Sequence, residues 1–278
     1  MKIFNTKEEL SNYLGQFKKH PEVIGFVPTM GALHEGHLAL IKIANAQSDV
    51  VVCSIFINPT QFNDPKDFEK YPKTIEEDIK KLEKLECDVL FLPDVQEMYP
   101  KKEEWHFNLG ELEKVLEARS RPGHYQGVTQ IVKKLLDAIK PDQVYFGQKD
   151  YQQFLVIERM VRSLRIPVKL IMCPIVRDKD GLALSSRNIR LSDEQRKQTL
   201  ALSQALNLTK SEFKKKSIKQ LKADGIAFLG LKGIEPDYFE ICNAKTLKAA
   251  SSKRTSKLIV LVAAYVGGTR LIDNLLLT

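Results

Sequence analysis

The chain has 278 residues, of which 43% are hydrophobic, and a formal net charge of +8. This hydrophobic content suits one large domain or two smaller ones with a packed core, and it excludes an intrinsically disordered chain. The charge fits either nucleic acid or small anionic substrates. Because the lysines of the densest basic run, 210–222, recur at spacings that fit exposed helix faces, we expect small anions and no nucleic-acid partner.

Nothing in the sequence predicts export or membrane insertion. The first 15 residues are polar, with apolar residues at helical spacing, and lack the continuous apolar run of a secretory signal. The longest apolar run, Leu258 to Val266, is far shorter than the ~20 residues of a membrane helix. The four cysteines lie far apart without a C-x-x-C pair, which favours reduced thiols. We expect a cytoplasmic protein with no membrane partner.

Short β-rich runs alternate with amphipathic runs over the first two thirds of the chain, which is typical of βαβ units and a parallel sheet. The spacing of Thr74 and Glu77 predicts a capping box at the start of one of these helices. The predicted strands are 23–28, 49–58, 88–93, 143–147 and 168–176, and the predicted helices are 37–47, 75–86, 128–140 and 150–164.

The pattern changes at the polar segment 177–192, where Asp180 and Gly181 indicate a turn. Ser192 is predicted to cap a helix through about residue 216, and strands are expected at 237–243, 256–266 and 269–278. We therefore predict an α/β protein with a Rossmann-like parallel-sheet domain over 1–176 and a smaller α+β domain over 177–278.

The segment FVPTMGALHEGHLAL, residues 26–40, joins a predicted strand to a helix through a glycine-containing turn. Helix N-termini at the carboxyl ends of parallel strands present free N–H groups to anions, so His34 and His37 fit a phosphate site. A metal site and simple helix capping remain open, although H-E-G-H differs from the H-E-x-x-H of zinc proteases. A P-loop is absent: Gly225 and Gly230 have its glycine spacing, but Leu231 and Lys232 follow them instead of Lys and Ser/Thr.

Three more polar motifs follow predicted strands or join the two domains. In GQKDYQQ, 147–153, Lys149 fits a phosphate contact, Asp150 a helix cap, and Gln152 or Gln153 an amide for a hydroxy acid. LSSRN, 184–188, combines hydroxyls with a guanidinium and suits a mobile lid. FINPTQF, 56–62, carries the amides of Asn58 and Gln61 at a strand end. The alternatives are a capped helix with an exposed lysine for the first motif, a surface loop for the second and an ordinary turn for the third.

Taken in order, these motifs resemble the pantothenate synthetase family, which is related in its nucleotide-binding core to class I aminoacyl-tRNA synthetases and nucleotidylyltransferases. The resemblance also includes RPGHYQGV at 121–128 and GGTRLIDN at 267–274, and it covers nearly the whole chain. It implies a homodimeric, AMP-forming ligase that condenses pantoate with β-alanine through pantoyl adenylate. ATP is then a substrate, and Mg²⁺ is bound mainly through its phosphates, with Glu77 or Asp78 as possible outer partners and no protein metal site.

The resemblance also implies roles for individual residues. Catalytic roles fall on His37, His34, Lys149 and Arg187. Pantoate contacts fall on Gln61 and Gln153, and Gln61 is also expected to help to position β-alanine. The implied ATP-binding residues are Met30, Gly31, Ala32, Leu33, His34, Glu35, Gly36, His37, Gly147, Gln148, Lys149, Asp150, Val176, Leu184, Ser185, Ser186 and Arg187.

The sequence departs from the family pattern at a few positions. Leu184 replaces a common Met, and Gln148 a frequent Glu, with little consequence expected. Tyr125 and Gln126 stand where the family frequently has Phe and often Arg, so no phosphate role is carried over to that loop. A nucleotidylyltransferase, which keeps AMP in its product, is the main alternative function.

Overall fold

The computed structural model of the protein describes residues 1–17, 21–254 and 257–278. Short 3-10 helices lie at Pro59–Gln61, Gly110–Glu113, Gln148–Asp150 and Ser186–Arg190. The strands are β1 (Lys2–Phe4), β2 (Ile24–Thr29), β3 (Val50–Ile55), β4 (Val89–Phe91), β5 (Gln143–Gly147), β6 (Lys169–Cys173), β7 (Pro236–Asn243), β8 (Leu258–Val266) and β9 (Thr269–Leu276). The α-helices are α1 (Lys7–Leu14), α2 (Glu35–Asn45), α3 (Pro65–Glu69), α4 (Ile75–Lys84), α5 (Val95–Met98), α6 (Leu116–Ser120), α7 (His124–Ile139), α8 (Tyr151–Ser163), α9 (Asp193–Glu212) and α10 (Ile218–Leu231).

The first six strands form one parallel sheet in the order β1-β4-β3-β2-β5-β6. The chain moves outward from β2 to β3 and β4, then returns to add β5 on the other side of β2. This reversal creates a topological switch point between β2 and β5, where open α/β sheets bind ligands beyond the carboxyl ends of their strands. Both faces of the central strands are buried, which explains the continuous apolar run in β3.

The last three strands form an antiparallel sheet in the order β7-β8-β9. Val260 and Val262 of β8 pack in a core with α9 and α10, whereas the alternate residues Ile259 and Leu261 join the core of the first unit. Because β8 is buried on both faces, its sequence is apolar at nearly every position. The predicted fold class is therefore confirmed, while the domain boundary at 176/177 stays a prediction.

The predicted elements agree well with the observed ones, with two errors in the caps. Ser192 caps α9 in a capping box with Gln195, as its predicted role requires. The capping box predicted from Thr74 is wrong, because its hydroxyl donates to Asp78 at 3.2 Å and caps no N–H. The predicted cap by Asp150 is also wrong, since its side chain accepts no N–H of α8. The predicted strand start at Ser256 lies outside the described residues.

No helix in the described ranges is both long and apolar enough to cross a membrane.

Candidate functional site

A cavity of about 230 Å³ lies beyond the carboxyl ends of β2 and β5, at the switch point of the parallel sheet. Its lining contains residues from each of the motifs at 26–40, 56–62, 121–128, 147–153 and 184–188. The sequence-predicted site residues in the lining are Met30, His34, Gly36, His37, Gln61, Gly147, Lys149, Asp150, Gln153, Val176, Leu184, Ser185, Ser186 and Arg187. Segments that are far apart in sequence thus meet in one cavity.

The other predicted ATP-binding residues lie outside the lining. They are Gly31, Ala32, Leu33, Glu35 and Gln148, of which Glu35 is exposed. The N–H groups of Ala32 and Leu33 are bonded to a carboxylate, and the Gln148 amide donates to Asn274 at 3.1 Å. These contacts form a supporting layer for the segments that line the cavity, and the participation of the five residues in ATP binding stays a prediction.

His34 and His37 combine helix capping with a place in the cavity wall. Nδ1 of His34 accepts the N–H of Gly36 at 3.1 Å, and Nδ1 of His37 faces the N–H of His34 at 3.5 Å. A neutral imidazole whose Nδ1 is an acceptor carries its proton on Nε2. The capping box therefore leaves each ring with an N–H donor for another partner.

Burial keeps both imidazoles neutral at ordinary pH. It lowers the pKa of His34 to about 4, with a further contribution from the Lys149 ammonium. It lowers the pKa of His37 to about 3, with His34 and Lys149 adding to the effect. The charge of Lys149 acts on both rings, so the lysine and the two N–H donors serve the same part of the cavity.

The imidazole ring of His34, which caps α2, requires a glycine at position 36. Close approach of a ligand is therefore not the only reason for this glycine. A Cβ at this position would lie 2.7 Å from Cε1 and 2.8 Å from Nδ1 of His34, which is too close for a real side chain. The glycine in H-E-G-H thus makes room for the imidazole that caps α2.

Asp78 is a supporting residue whose role the sequence did not reveal. Its buried carboxylate accepts the N–H groups of Ala32 and Leu33, each at 2.8 Å. Lys81 completes this clamp by donating to the carbonyl of Leu33 at 2.8 Å. These contacts commit Asp78 to holding the turn before α2, and the exposed Glu77 lies outside the cavity lining.

Gln61 is held in place by the motif at 121–128. The Nδ1–H of His124 donates to the carbonyl of Gln61 at 2.7 Å, and Asn58 donates to its side-chain oxygen at 3.1 Å. Gly127 allows this approach, because a Cβ there would lie 2.2 Å from the carbonyl oxygen of Thr60. The motif at 121–128 thus fixes an amide of the cavity.

Gln152 and Gln153 are separated by the structure. Gln153, to which the family resemblance assigns a pantoate contact, lines the cavity. Gln152 is buried outside it, where its amide donates to the carbonyls of Leu112 and Val115 and accepts the N–H of Glu117. Only one of the two adjacent amides is placed to meet a ligand.

Arg121 adds a cation that sequence reasoning did not assign. Its guanidinium lies in the cavity lining and donates to Nε2 of His124 at 3.0 Å. Burial lowers the pKa of His124 to about 3, so this partner is neutral, and the nearby Glu117 is paired with Arg270 at 2.8 Å. Gln126, in contrast, bonds to Phe107 and faces away from the cavity.

All four residues of the segment 184–187 belong to the cavity lining. The Ser186 hydroxyl donates to the carbonyl of Ala32 at 3.2 Å, which connects this segment to the turn before α2. Arg187 is paired with Asp67 at 2.9 Å, and Asp67 also accepts from Arg190. Although burial raises the pKa of Asp67, the two guanidiniums hold it below its ordinary value. The segment is therefore held in this structure by contacts of two adjacent residues, Ser186 and Arg187.

The fold and the cavity define a class of protein, namely an α/β protein with a ligand cavity at the switch point of a parallel sheet and a smaller antiparallel unit beside it. The family model for pantoate-beta-alanine ligase matches residues 2–276. The chain belongs to this family.

Individual relatives agree over the full length. The pantothenate synthetase of Thermotoga petrophila is 47% identical over 280 residues, which cover all of both chains. A crystal structure of pantothenate synthetase from Thermus thermophilus is 40% identical, with a TM-score of 0.93 and 99% coverage of each chain. The Francisella tularensis pantoate-beta-alanine ligase, complexed with beta-gamma ATP and beta-alanine, is 35% identical with a TM-score of 0.82, covering 99% of this chain and 97% of that one.

Proposed function

We propose that the protein condenses pantoate with β-alanine at the expense of ATP, through enzyme-bound pantoyl adenylate, and releases AMP and pyrophosphate. The observation that carries this proposal is the meeting of two donor sets in one cavity: the first is His34, His37 and Lys149, and the second is the amides of Gln61 and Gln153. The first set suits phosphates and the second suits a hydroxy acid. The Francisella relative, crystallised with beta-gamma ATP and beta-alanine, supports two of the three substrates.

In the first step a carboxylate oxygen of pantoate attacks the α-phosphorus of ATP, and the bond to the bridging oxygen of pyrophosphate breaks. This brings an anion to a polyanion, so catalysis depends on positioning and on charge stabilisation. The two neutral imidazoles offer Nε2–H donors at the start of α2, where the helix dipole also favours negative charge. Lys149 and Arg187 add positive charge to the cavity lining, and Arg187 shares its charge with Asp67.

Mg²⁺ accompanies ATP in this proposal, and it supplies neutralisation of phosphate charge when bound. Among the described residues that line the cavity, the only carboxylate is Asp150. The described part of the chain also holds no group of three or more His, Cys, Asp or Glu side chains arranged for a metal ion. A cavity lining with this single carboxylate fits an Mg²⁺ ion that is held mainly through the ATP phosphates, with water as its remaining ligand.

In the second step the amine of β-alanine attacks the carbonyl carbon of the adenylate, AMP leaves with the bridging oxygen, and a proton is lost from the new amide nitrogen. Gln61 and Arg121 both line the cavity and are connected through the neutral His124, which bonds to the Gln61 carbonyl and accepts from the Arg121 guanidinium. We assign the carboxylate of β-alanine to Arg121, because an Arg–carboxylate pair fixes orientation as well as charge.

The lid is proposed to protect the intermediate from water. Pantoyl adenylate is a mixed anhydride that water hydrolyses, and exclusion of water is a recognised function of closing loops. The bond from Ser186 to Ala32 and the pair of Arg187 with Asp67 support a lid that closes over the phosphate side. The homodimer expected from the family resemblance and the cytoplasmic location expected from the sequence stay predictions.

Product analysis tests the proposal. The purified protein with ATP, Mg²⁺, pantoate and β-alanine should form pantothenate and AMP in equal amounts, with no ADP. Without β-alanine it should exchange labelled pyrophosphate into ATP, and omission of pantoate should abolish that exchange. Stoichiometric ADP would indicate an acyl-phosphate ligase, and a product that retains AMP would indicate a nucleotidylyltransferase.

A further inference from the structure

The motif at 267–274 lies in and before β9, and none of its residues is in the lining of the cavity. Two polar residues of β9 are nevertheless almost fully buried, Asp273 at 4% and Asn274 at 1% exposure. Burial of polar groups is unfavourable unless hydrogen bonds compensate for lost hydration. The partners of these two side chains therefore indicate what the strand does.

Both the nitrogen and the oxygen of the Asn274 side-chain amide bond to the Lys149 loop, residues 148–150. Its Nδ2 donates to the carbonyl of Gln148 at 3.0 Å and to the carbonyl of Lys149 at 2.9 Å. Its Oδ1 accepts the Gln148 amide at 3.1 Å. One side chain of the antiparallel unit thus holds the main chain on which the cavity lysine stands.

The Lys149 loop has little local support of its own. It is a three-residue 3-10 helix without a side-chain cap at Gly147, and Asp150 makes no capping bond to α8. Such short helices are held by their surroundings rather than by their own hydrogen bonds. The contacts of Asn274 supply this missing constraint.

Asp273 extends the same arrangement to the base of the lid. Its carboxylate binds the Arg177 guanidinium through two bonds, at 2.7 and 2.8 Å, and also accepts the N–H of Asn274 at 2.7 Å. Arg177 bridges to Ala183, just before the lid segment 184–187. The Lys149 loop is therefore bonded to Asn274, and Arg177, which precedes the lid segment, is bonded to the neighbouring Asp273.

We propose that Asn274 is a positioning residue that sets the place of Lys149 against His34 and His37. The role of Lys149 on ATP phosphates rests on the proposed function, whereas the placement of the lysine does not. Asn274 is not itself in the cavity lining, so it acts through its hydrogen bonds to Gln148 and Lys149. Removal of its amide should let the lysine leave its place while the pantoate side of the cavity stays intact.

The test is Asn274→Leu, which has similar size and no charge but cannot donate to the two carbonyls. Pantoate-dependent pyrophosphate exchange should fall by about tenfold to a hundredfold, as expected for a misplaced catalytic group. Pantoate binding should stay within about twofold. Asn274→Ala gives the same comparison if leucine does not fit. The matched control is Asn45→Leu, because Asn45 also donates to a main-chain carbonyl, that of Leu85 at 2.7 Å, outside the cavity.

A second readout reports the lysine directly. Since the Lys149 charge contributes to the low pKa of His34, loss of the charge in Lys149→Ala should make the His34 NMR signals titrate at higher pH. Asn274→Leu should move them in the same direction, and Asn45→Leu should not. An unchanged His34 titration, or exchange equal to that of the control, would overturn the proposal. If the unmodified protein showed no exchange, the proposed function would fail while the titration still decided the placement of Lys149.

Discussion

The imidazole rings of His34 and His37 lie 4.1 Å apart, tilted by 30°, where α2 begins. Two charged rings at this distance would repel each other, and burial already disfavours the charged form. Their Nδ1 atoms face main-chain N–H groups, so both rings are neutral Nε2–H donors. The pair therefore offers hydrogen bonds to an anion without bringing two full charges together.

This geometry predicts a large effect of His37→Ala on adenylation. Loss of one preorganised donor to developing phosphate charge costs about a hundredfold or more in rate. The measurement is the initial rate of pantoate-dependent pyrophosphate exchange. The matched control is His106→Ala, because His106 is exposed and lies outside the cavity lining, and it should leave the rate unchanged. Equal loss in both variants would contradict the role of His37.

Buried neutral histidines also predict how stability depends on pH. The folded pKa values of His34 and His124 are about 4 and about 3, against 6.5 as the ordinary value. Between these values the unfolded chain binds more protons than the folded chain, so their contribution is complete above pH 6.5 and is lost as pH falls. Each such histidine should lower the free energy of unfolding by about 1.4 kcal/mol per pH unit within this window.

Urea unfolding between pH 6.5 and 5 measures this slope, in a range where most carboxylates remain charged. His124→Gln should flatten the slope by the share of one histidine. A slope identical to that of the unmodified protein would show that His124 is already protonated in the folded protein or is not buried.

Asp78→Asn should destabilise the protein in the absence of any metal ion. Asparagine would turn an N–H group toward the N–H of Ala32 or Leu33, which leaves a buried donor without a partner. Such a loss costs about 1–3 kcal/mol of unfolding free energy. Thermal or urea unfolding in EDTA is the measurement, with Glu77→Gln as the exposed neighbour on α4. An effect that appeared only with MgATP would instead support an Mg²⁺ partner at Asp78.

The same substitution should have different effects at the adjacent Gln152 and Gln153, one on stability and the other on pantoate binding. Gln153→Ala should weaken pantoate binding by about 1–3 kcal/mol, the value of a buried polar contact, with little change in Tm. Gln152→Ala should lower Tm, because it leaves the carbonyls of Leu112 and Val115 and the N–H of Glu117 unpaired. Calorimetric titration with pantoate and thermal unfolding separate the two. Weaker binding of ATP and pantoate alike in Gln153→Ala would argue against its assignment.

The sequence predicted elements better than it predicted side-chain partners. Apolar runs and helical spacing are local signals, so the parallel sheet and the three C-terminal strands could be inferred directly. Thr74 and Asp150 had the residue types of helix caps, but competing partners or geometry decided otherwise. Polar propensity describes what a side chain can do, and the tertiary structure decides which option is used.

The residues of the supporting layer could not be predicted from the sequence, for a related physical reason. Asp78 and Asn274 act on residues that lie 45 and 126 positions away in the chain, and no local spacing connects them. Arg121 stood in a motif that was noticed, yet its place in the cavity depends on how α7 packs against the segment 59–61. Most of the motif residues that line the cavity could be listed from the sequence, whereas the residues that hold them in place required the fold.

The central claim is that the carboxylate of pantoate attacks the α-phosphorus of ATP in this cavity. Pantoate labelled with ¹⁸O in its carboxyl group tests it most directly, because the attacking oxygen stays on phosphorus when β-alanine displaces AMP. Mass spectrometry of the products should find one labelled oxygen in AMP for each pantothenate formed, and no label in pyrophosphate. Unlabelled AMP, or label in inorganic phosphate together with ADP, would contradict the adenylate mechanism even if the product were pantothenate.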